Sequence, residues 1–286
     1  MTRTLVARAA AGLLLFLGCW IGYTQTQKAS PKLTISKVKD DLFNIEGDGG
    51  NVAVYVTTEG VILVDDKFEQ DHAQIVDLVK SVTDKPVKYV LSTHHHTDHS
   101  GGNIGFVGTA QIISTANARA NILENKQPNQ PPSLVPANVV FTKECSVLLG
   151  GKEARATSYG RGHTNGDAVI YFPALRTIHT GDLMAGNTPL IDYRGGGSIV
   201  EWSKTLDEAL KVDFDTVIPG HGKVTDKAGL KAYRDNIERL RTRAAGLIRE
   251  AKSQEDVGKV MMAEFGWGAN SMQMSWSLPG MMEELR

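Results

Sequence analysis

Val87-Lys88-Tyr89-Val90-Leu91-Ser92 is an apolar, β-prone run that stops abruptly at Thr93-His94-His95-His96-Thr97-Asp98-His99-Ser100-Gly101-Gly102-Asn103. A strand that ends in a polar, glycine-closed segment places that segment on a loop at the strand's carboxyl end, where the sites of layered α/β proteins commonly lie. Imidazole and carboxylate hold zinc at about 2 Å, and His94, His96, Asp98 and His99 offer four such ligands within six residues. Alternate residues of an extended loop point the same way. His94 and His96 are therefore expected to converge on one ion, with Asp98 and His99 turning toward a second. A histidine run alone would suit a solvated loop equally well, so the remaining histidines decide. His163 lies in Gly160-Arg161-Gly162-His163-Thr164-Asn165-Gly166-Asp167 and His221 in Val217-Ile218-Pro219-Gly220-His221-Gly222. Both are embedded in glycines, which let a loop bend closely around an ion. Between them, Ile178-His179-Thr180-Gly181-Asp182 ends another apolar run in a carboxylate.

Strand-like and helix-like segments alternate around this cluster. Residues 51–56 and 60–65 read as a hairpin, and Ala73, Ile75, Val76, Leu78 and Val79 lie on one side of a short helix that Pro86 ends. Residues 117–126 read as helix and the proline-rich 127–136 as an irregular loop; 138–141, 145–149, 168–172 and 176–180 read as strands. Helices are predicted over 202–210 and 230–251, the second with an apolar stripe of Leu230, Tyr233, Ile237, Leu240, Ala244 and Leu247. The pattern is α/β. A chain of 286 residues can bury its apolar surface in one large domain, here expected over 32–286. With 31 Lys+Arg against 32 Asp+Glu there is no positive excess to meet a phosphate backbone, so nucleic acid is not an expected partner.

The N-terminus is different in kind. Arg3 and Arg8 precede an apolar run over 9–21, and polar Thr24-Gln25-Thr26-Gln27-Lys28 follows. That order is that of a secretory signal, and the run falls short of the roughly 20 apolar residues that cross a bilayer. Residues 1–27 are thus expected to be a signal and the mature protein periplasmic or secreted, an uncleaved anchor being the alternative. Leu15-Phe16-Leu17-Gly18-Cys19 resembles a lipoprotein cleavage box, with Phe16 where Leu is usual. Processing there would make a lipid on Cys19 the sole membrane contact. Cys145, then without a partner, fits a buried, small apolar role in its strand.

The ordered set of His-x-His-x-Asp-His at 94–99, Gly-His-Thr at 162–164, Gly-Asp at 181–182 and Gly-His at 220–221 resembles the metallo-β-lactamase superfamily of binuclear metallohydrolases, over about 33–249. The resemblance implies a four-layer αββα sandwich, two mixed sheets face to face with helices outside. It implies that His94, His96 and His163 bind a first metal, that Asp98, His99 and His221 bind a second, and that Asp182 bridges them. His95 falls at a variable position and is expected in the pocket wall. Asp65 matches a family aspartate that orients a ligand from behind; a turn or cap residue is the plainer alternative. His179 is expected to pack beneath the site rather than touch substrate. In the loop 188–197, Tyr193 could serve an oxyanion or leaving group and Arg194 an anionic substrate, although ordinary loop packing is the leading expectation for both. The Met- and Trp-rich tail, from Met261 to Met281, is expected to pack on the body rather than to clamp substrate.

Two zinc ions are the implied cofactors, and ligand types alone leave iron or manganese open. Such a pair acidifies a bridging water to a hydroxide that Asp98 can orient, polarises a carbonyl and accepts charge on the leaving group. The expected reaction is hydrolysis of an ester, thioester, lactone or amide of a small molecule. Asp182 stands where the best-known zinc β-lactamases carry Cys, which makes β-lactam hydrolysis the alternative. A non-catalytic, metal-binding periplasmic accessory protein is a further one. The oligomeric state is left open.

Overall fold

In β3 (Val52–Val56) and β4 (Val61–Val64), consecutive side chains belong to different cores. Val52, Val54, Val61 and Leu63 join one cluster, while Ala53, Tyr55, Ile62 and Val64 join another. Period-two alternation with both sets apolar is the signature of a strand covered on both faces. It fixes the layering. The computed structural model describes residues 32–186 and 188–286.

The first sheet has seven strands in sequence order: β1 (Thr34–Lys39), β2 (Leu42–Glu46), β3, β4, β5 (Val87–Leu91), β6 (Gln111–Thr115) and β7 (Val139–Phe141). It is antiparallel up to β4 and parallel from β4 to β7. The second has six, ordered β13-β12-β11-β10-β9-β8: β8 (Glu144–Leu149), β9 (Lys152–Thr157), β10 (Val169–Phe172), β11 (Thr177–His179), β12 (Thr216–Ile218) and β13 (Thr225–Asp226). Within it β11 and β12 run parallel.

Helices close the two outer faces. α1 (His72–Lys80) buries Ile75 and Val79, four residues apart, on the first sheet. The short α2 (Thr97–Ser100) and α3 (Asn103–Phe106) follow β5, and α4 (Ala116–Leu123) starts at a Thr115 hydroxyl that accepts from Ala118 N. On the second sheet lie α5 (Ile199–Ala209), α6 (Lys227–Arg249), α7 (Gln254–Phe265) and α8 (Leu278–Glu284). The whole predicted stripe of α6 is buried there. Leu42, Tyr55, Leu91, Ile170, Phe172 and Ile218 fill the space between the sheets. The result is the four-layer αββα sandwich, with every layer boundary apolar. Truncating a side chain as enclosed as Leu63 to Ala should cost about 2–5 kcal/mol.

The segment read as an export signal, including Cys19, lies outside the described residues. Among the described residues, no helix is long and apolar enough to cross a membrane. Cys145 is a free, half-buried thiol on β8, packed against the core between the sheets.

Candidate metal centre

Every residue of the predicted ligand set sits just beyond the carboxyl end of a strand. The 94–99 group follows β5, His163 follows β9, Asp182 follows β11 and His221 follows β12. Parallel pairing of β4 with β5 and of β11 with β12 brings these ends to one rim of the sandwich, the position that open α/β sheets use for ligands. His94 and His96 leave β5 in extended chain, whereas Asp98 and His99 lie on α2 rather than on a loop. Backbone contact at this rim is close enough to require glycine. A Cβ on Gly50 would lie 2.2 Å from the His99 ring, and one on Gly220 would lie 2.0 Å from Asp182 Oδ1.

The first group is His94, His96 and His163, all buried, with ligand atoms within 4.8 Å of one another. Their hydrogen bonds settle which nitrogen is free. His163 Nδ1 faces Leu190 O at 2.7 Å, and a carbonyl only accepts, so Nδ1 carries the proton. His96 Nε2 donates to Asp192 Oδ2 at 2.9 Å. Thr93 Oγ1 donates to Asp65 Oδ2 at 2.8 Å and lies 3.1 Å from His94 Nδ1, from which it can only accept. That leaves lone pairs on His163 Nε2 and His96 Nδ1, 2.9 Å apart, and on His94 Nε2, which is buried without a hydrogen-bond partner. Three unshared pairs converging without a donor repel each other; a cation is the group that fits them. Burial and the neighbouring imidazoles hold His94 well below the usual histidine range, and the same forces bring His163 to about 4. Both are therefore neutral and ready to ligate at pH 7.

The second group is Asp98, His99 and His221. His99 Nδ1 donates to Asp65 Oδ2 at 2.7 Å, which turns Nε2 toward His221 Nε2 at 3.2 Å. Asp98 Oδ2 is 3.1 Å from His221 Nε2 and 3.6 Å from His99 Nε2. Asp182 lies between the groups. Its Oδ1 is 3.1 Å from His99 Nε2 and 3.5 Å from His221 Nε2, while Oδ2 is 3.7 Å from His163 Nε2. Burial alone would disfavour charge here, but opposite charges override it. Asp98 is pulled down to about 2 by His99 and His221, and His221 is pushed up to about 9 by Asp182 and Asp98.

The supporting residues are placed as follows. Asp65, at φ 62°, accepts from Thr93 N, Thr93 Oγ1 and His99 Nδ1. One carboxylate thus orients His99 directly and His94 through Thr93. His179 is fully buried beneath the site, its Nε2 on Asn51 O at 3.1 Å and its Nδ1 accepting from Gly181 N. His95 does not form part of a cavity wall; it is buried behind His96, 3.5 Å from Asp192 and beside Asn121. Tyr193 points away from the ligands and donates to Glu284 at 2.8 Å. Arg194 is exposed and does not line the cavity.

Two carboxylates absent from the predicted set complete the arrangement. Asp192 holds His96 and accepts from Gly195 N, and Asp167 closes the loop after His163 by accepting from Thr164 N and Oγ1. A cavity of about 330 Å³ opens onto both groups. Its floor is His96, Asp98, Asp182 and His221, and its walls include Gln127, Leu190, Met272, Gln273 and Trp276. The tail therefore does both jobs. Met261, Phe265, Trp267, Leu278 and Met281 pack into the core, while the segment between α7 and α8 faces the cavity.

The chain is 27% identical over 176 residues to metallo-beta-lactamase IND-1 of Chryseobacterium indologenes, spanning 60% of this chain and 71% of that protein. It is 24% identical over 238 residues to metallo-beta-lactamase type 2 of Elizabethkingia meningoseptica, spanning 79% and 92%. In structure it resembles the metallo-beta-lactamase FIM-1 from Pseudomonas aeruginosa in its mono-zinc form, with a TM-score of 0.64 at 18% identity, covering 73% of this chain and 96% of that one. The family model for the metallo-beta-lactamase superfamily matches residues 45–221, from β2 to the last histidine of the site. More than half of the chain is matched, and the chain belongs to the metallo-beta-lactamase superfamily and is one of its hydrolases.

Proposed function

We propose that the protein is an exported hydrolase, a single domain over 32–286, that holds two zinc ions and cleaves an ester, thioester, lactone or amide of a small molecule. The observation that carries this reading is the division of Asp182 between the two groups, one oxygen toward His99 and His221 and the other toward His163. A carboxylate so placed suits two cations at once. When bound, the ions supply Lewis-acid polarisation of a carbonyl and bring the pKa of water toward neutrality. His94, His96 and His163 would hold one, and Asp98, His99 and His221 the other. Asp98, one quarter exposed in the cavity floor, is placed to orient a water and take its proton. Overall, the water oxygen bonds to the acyl carbon and the acyl–heteroatom bond breaks. Its electron pair leaves on the heteroatom, which takes up a proton from the water.

β-Lactam hydrolysis is favoured by the names of the relatives and disfavoured by Asp182 in place of Cys. A panel of esters, thioesters, lactones and β-lactams, run on zinc-loaded protein with and without a chelator, separates these readings. Chelator-sensitive turnover of the first three classes is expected; turnover of β-lactams alone would establish the other. Metal retention with no turnover on the whole panel would point to a binding protein. For export, mass analysis of the native chain should show the first 27 residues removed or a lipid on Cys19.

A further inference from the structure

The segment between α7 and α8 is built differently from the helices around it. Gln273–Ser277 forms a π-helical turn, a wider coil that is rare and concentrates at functional positions. It is pinned to the cavity loop at two points. Gln273 Nε2 donates to Thr188 O at 3.2 Å, and the Ser277 hydroxyl both accepts from Ile191 N at 2.8 Å and donates to Ile191 O at 3.0 Å. Between these pins Trp276 turns inward, its ring centroid 6.1 Å from that of His96.

Trp276 is half-buried and belongs to none of the apolar cores, unlike Met274 on the same turn, which packs against the helical core. Met272, 52% exposed, stands beside it at the mouth. Large apolar side chains held rigidly against a cavity rather than in a core supply contact area at little entropic cost. The charge of the cavity points the same way. Among the described residues no Lys or Arg lines it, and its charged side chains are those of the metal-binding groups. Away from the metal-binding floor a substrate carboxylate would find no Lys or Arg side chain, whereas Gln127 and Gln273 can hydrogen-bond a neutral group.

We propose that Trp276 is a specificity-determining residue, and that the Met272–Trp276 wall selects uncharged acyl compounds carrying a flat apolar group, such as an aryl-substituted ester or lactone. The proposal deepens the hydrolase reading and rests on it for the identity of the scissile bond, but not for binding of the flat group.

The test compares three methyl esters, so that the leaving group is constant: methyl 3-phenylpropanoate, methyl hexanoate and monomethyl succinate. Wild-type zinc-loaded protein should prefer the first and use the last least. In Trp276→Ala the kcat/KM ratio of the phenyl to the hexanoyl ester should fall about tenfold, chiefly through KM, as a lost aromatic contact implies. Trp276→Phe should restore most of it, and zinc content should be equal in all three proteins. An unchanged ratio in Trp276→Ala would overturn the proposal, as would preference for the succinate ester. Should Trp276→Ala lower the thermal midpoint, Trp276→Leu, which keeps apolar bulk without the flat ring, gives the same comparison. If wild type hydrolyses none of the esters, the ester reading fails on its own. The wall is then tested by NMR-detected binding of the inert ketone 4-phenylbutan-2-one, expected to be about tenfold weaker in Trp276→Ala. Equal binding would reject the proposal.

Discussion

The two halves of the metal centre share a carboxylate but differ in what stands behind them. Around the first, Leu190 O, Asp192 and Thr93 engage the rear nitrogens of His163, His96 and His94, and all three rings are buried. In the second, His99 is held by Asp65, but the His221 and Asp98 side chains are 35% and 25% exposed at the cavity floor. Outer partners fix ring direction and raise ligand basicity, while openness admits water and substrate. The contrast assigns retention of metal to the closed half and proton handling to the open one.

Removing charge from the open half should give the largest effect. Asp98→Asn keeps volume and one oxygen but loses the group that takes a proton, so turnover should fall by about 10²-fold or more. Thermal stability should change little, since Asp98 packs in no apolar core. Unaltered turnover at unaltered metal content would reject its role. Damaging the support of the closed half comes next. Asp192→Asn should weaken the first ion by about 10–100-fold in a competition titration with a chelator, because His96 loses its charged partner. A loss confined to the second ion would invert the contrast.

Acidity separates the halves more gently. His221, raised to about 9, and His99, which the surrounding carboxylates hold well above the usual histidine range despite its burial, carry protons that the second ion must displace near neutrality, whereas His163, lowered to about 4, carries none. From pH 7 to pH 6 the second ion's affinity should therefore drop by at least about tenfold, a factor of ten for each proton displaced, while the first stays nearly constant. Equal pH slopes for both ions, measured by titration at the two pH values, would remove this part of the argument.

The ligands are legible in sequence because histidines among glycines just after apolar runs have few other reasons to occur there. The layering is legible where strands are buried on both faces, as in 51–56 and 60–65. It is not legible in β9, Lys-Glu-Ala-Arg-Ala-Thr, whose inward side chains are only Ala154 and Ala156. The carboxylates behind the ligands are hidden for a different reason. Asp192 meets His96 from 96 residues away, and an aspartate in a glycine-rich loop looks like any turn residue. Tyr193 stands beside the site in sequence, where ordinary loop packing is the leading expectation, but its partner is not legible there: its hydroxyl donates to Glu284 on α8, 91 residues away. Trp276 reads as core by composition, and only the turn that holds it aims it at the cavity.

Elemental analysis of wild-type protein beside His221→Ala, each dialysed at pH 7 after zinc loading, addresses the two-part centre directly. Two zinc ions per wild-type chain and about one in His221→Ala are expected, since the closed half keeps all three of its histidines. One tightly held iron without zinc in the wild type, or loss of both ions together from the variant, would contradict it.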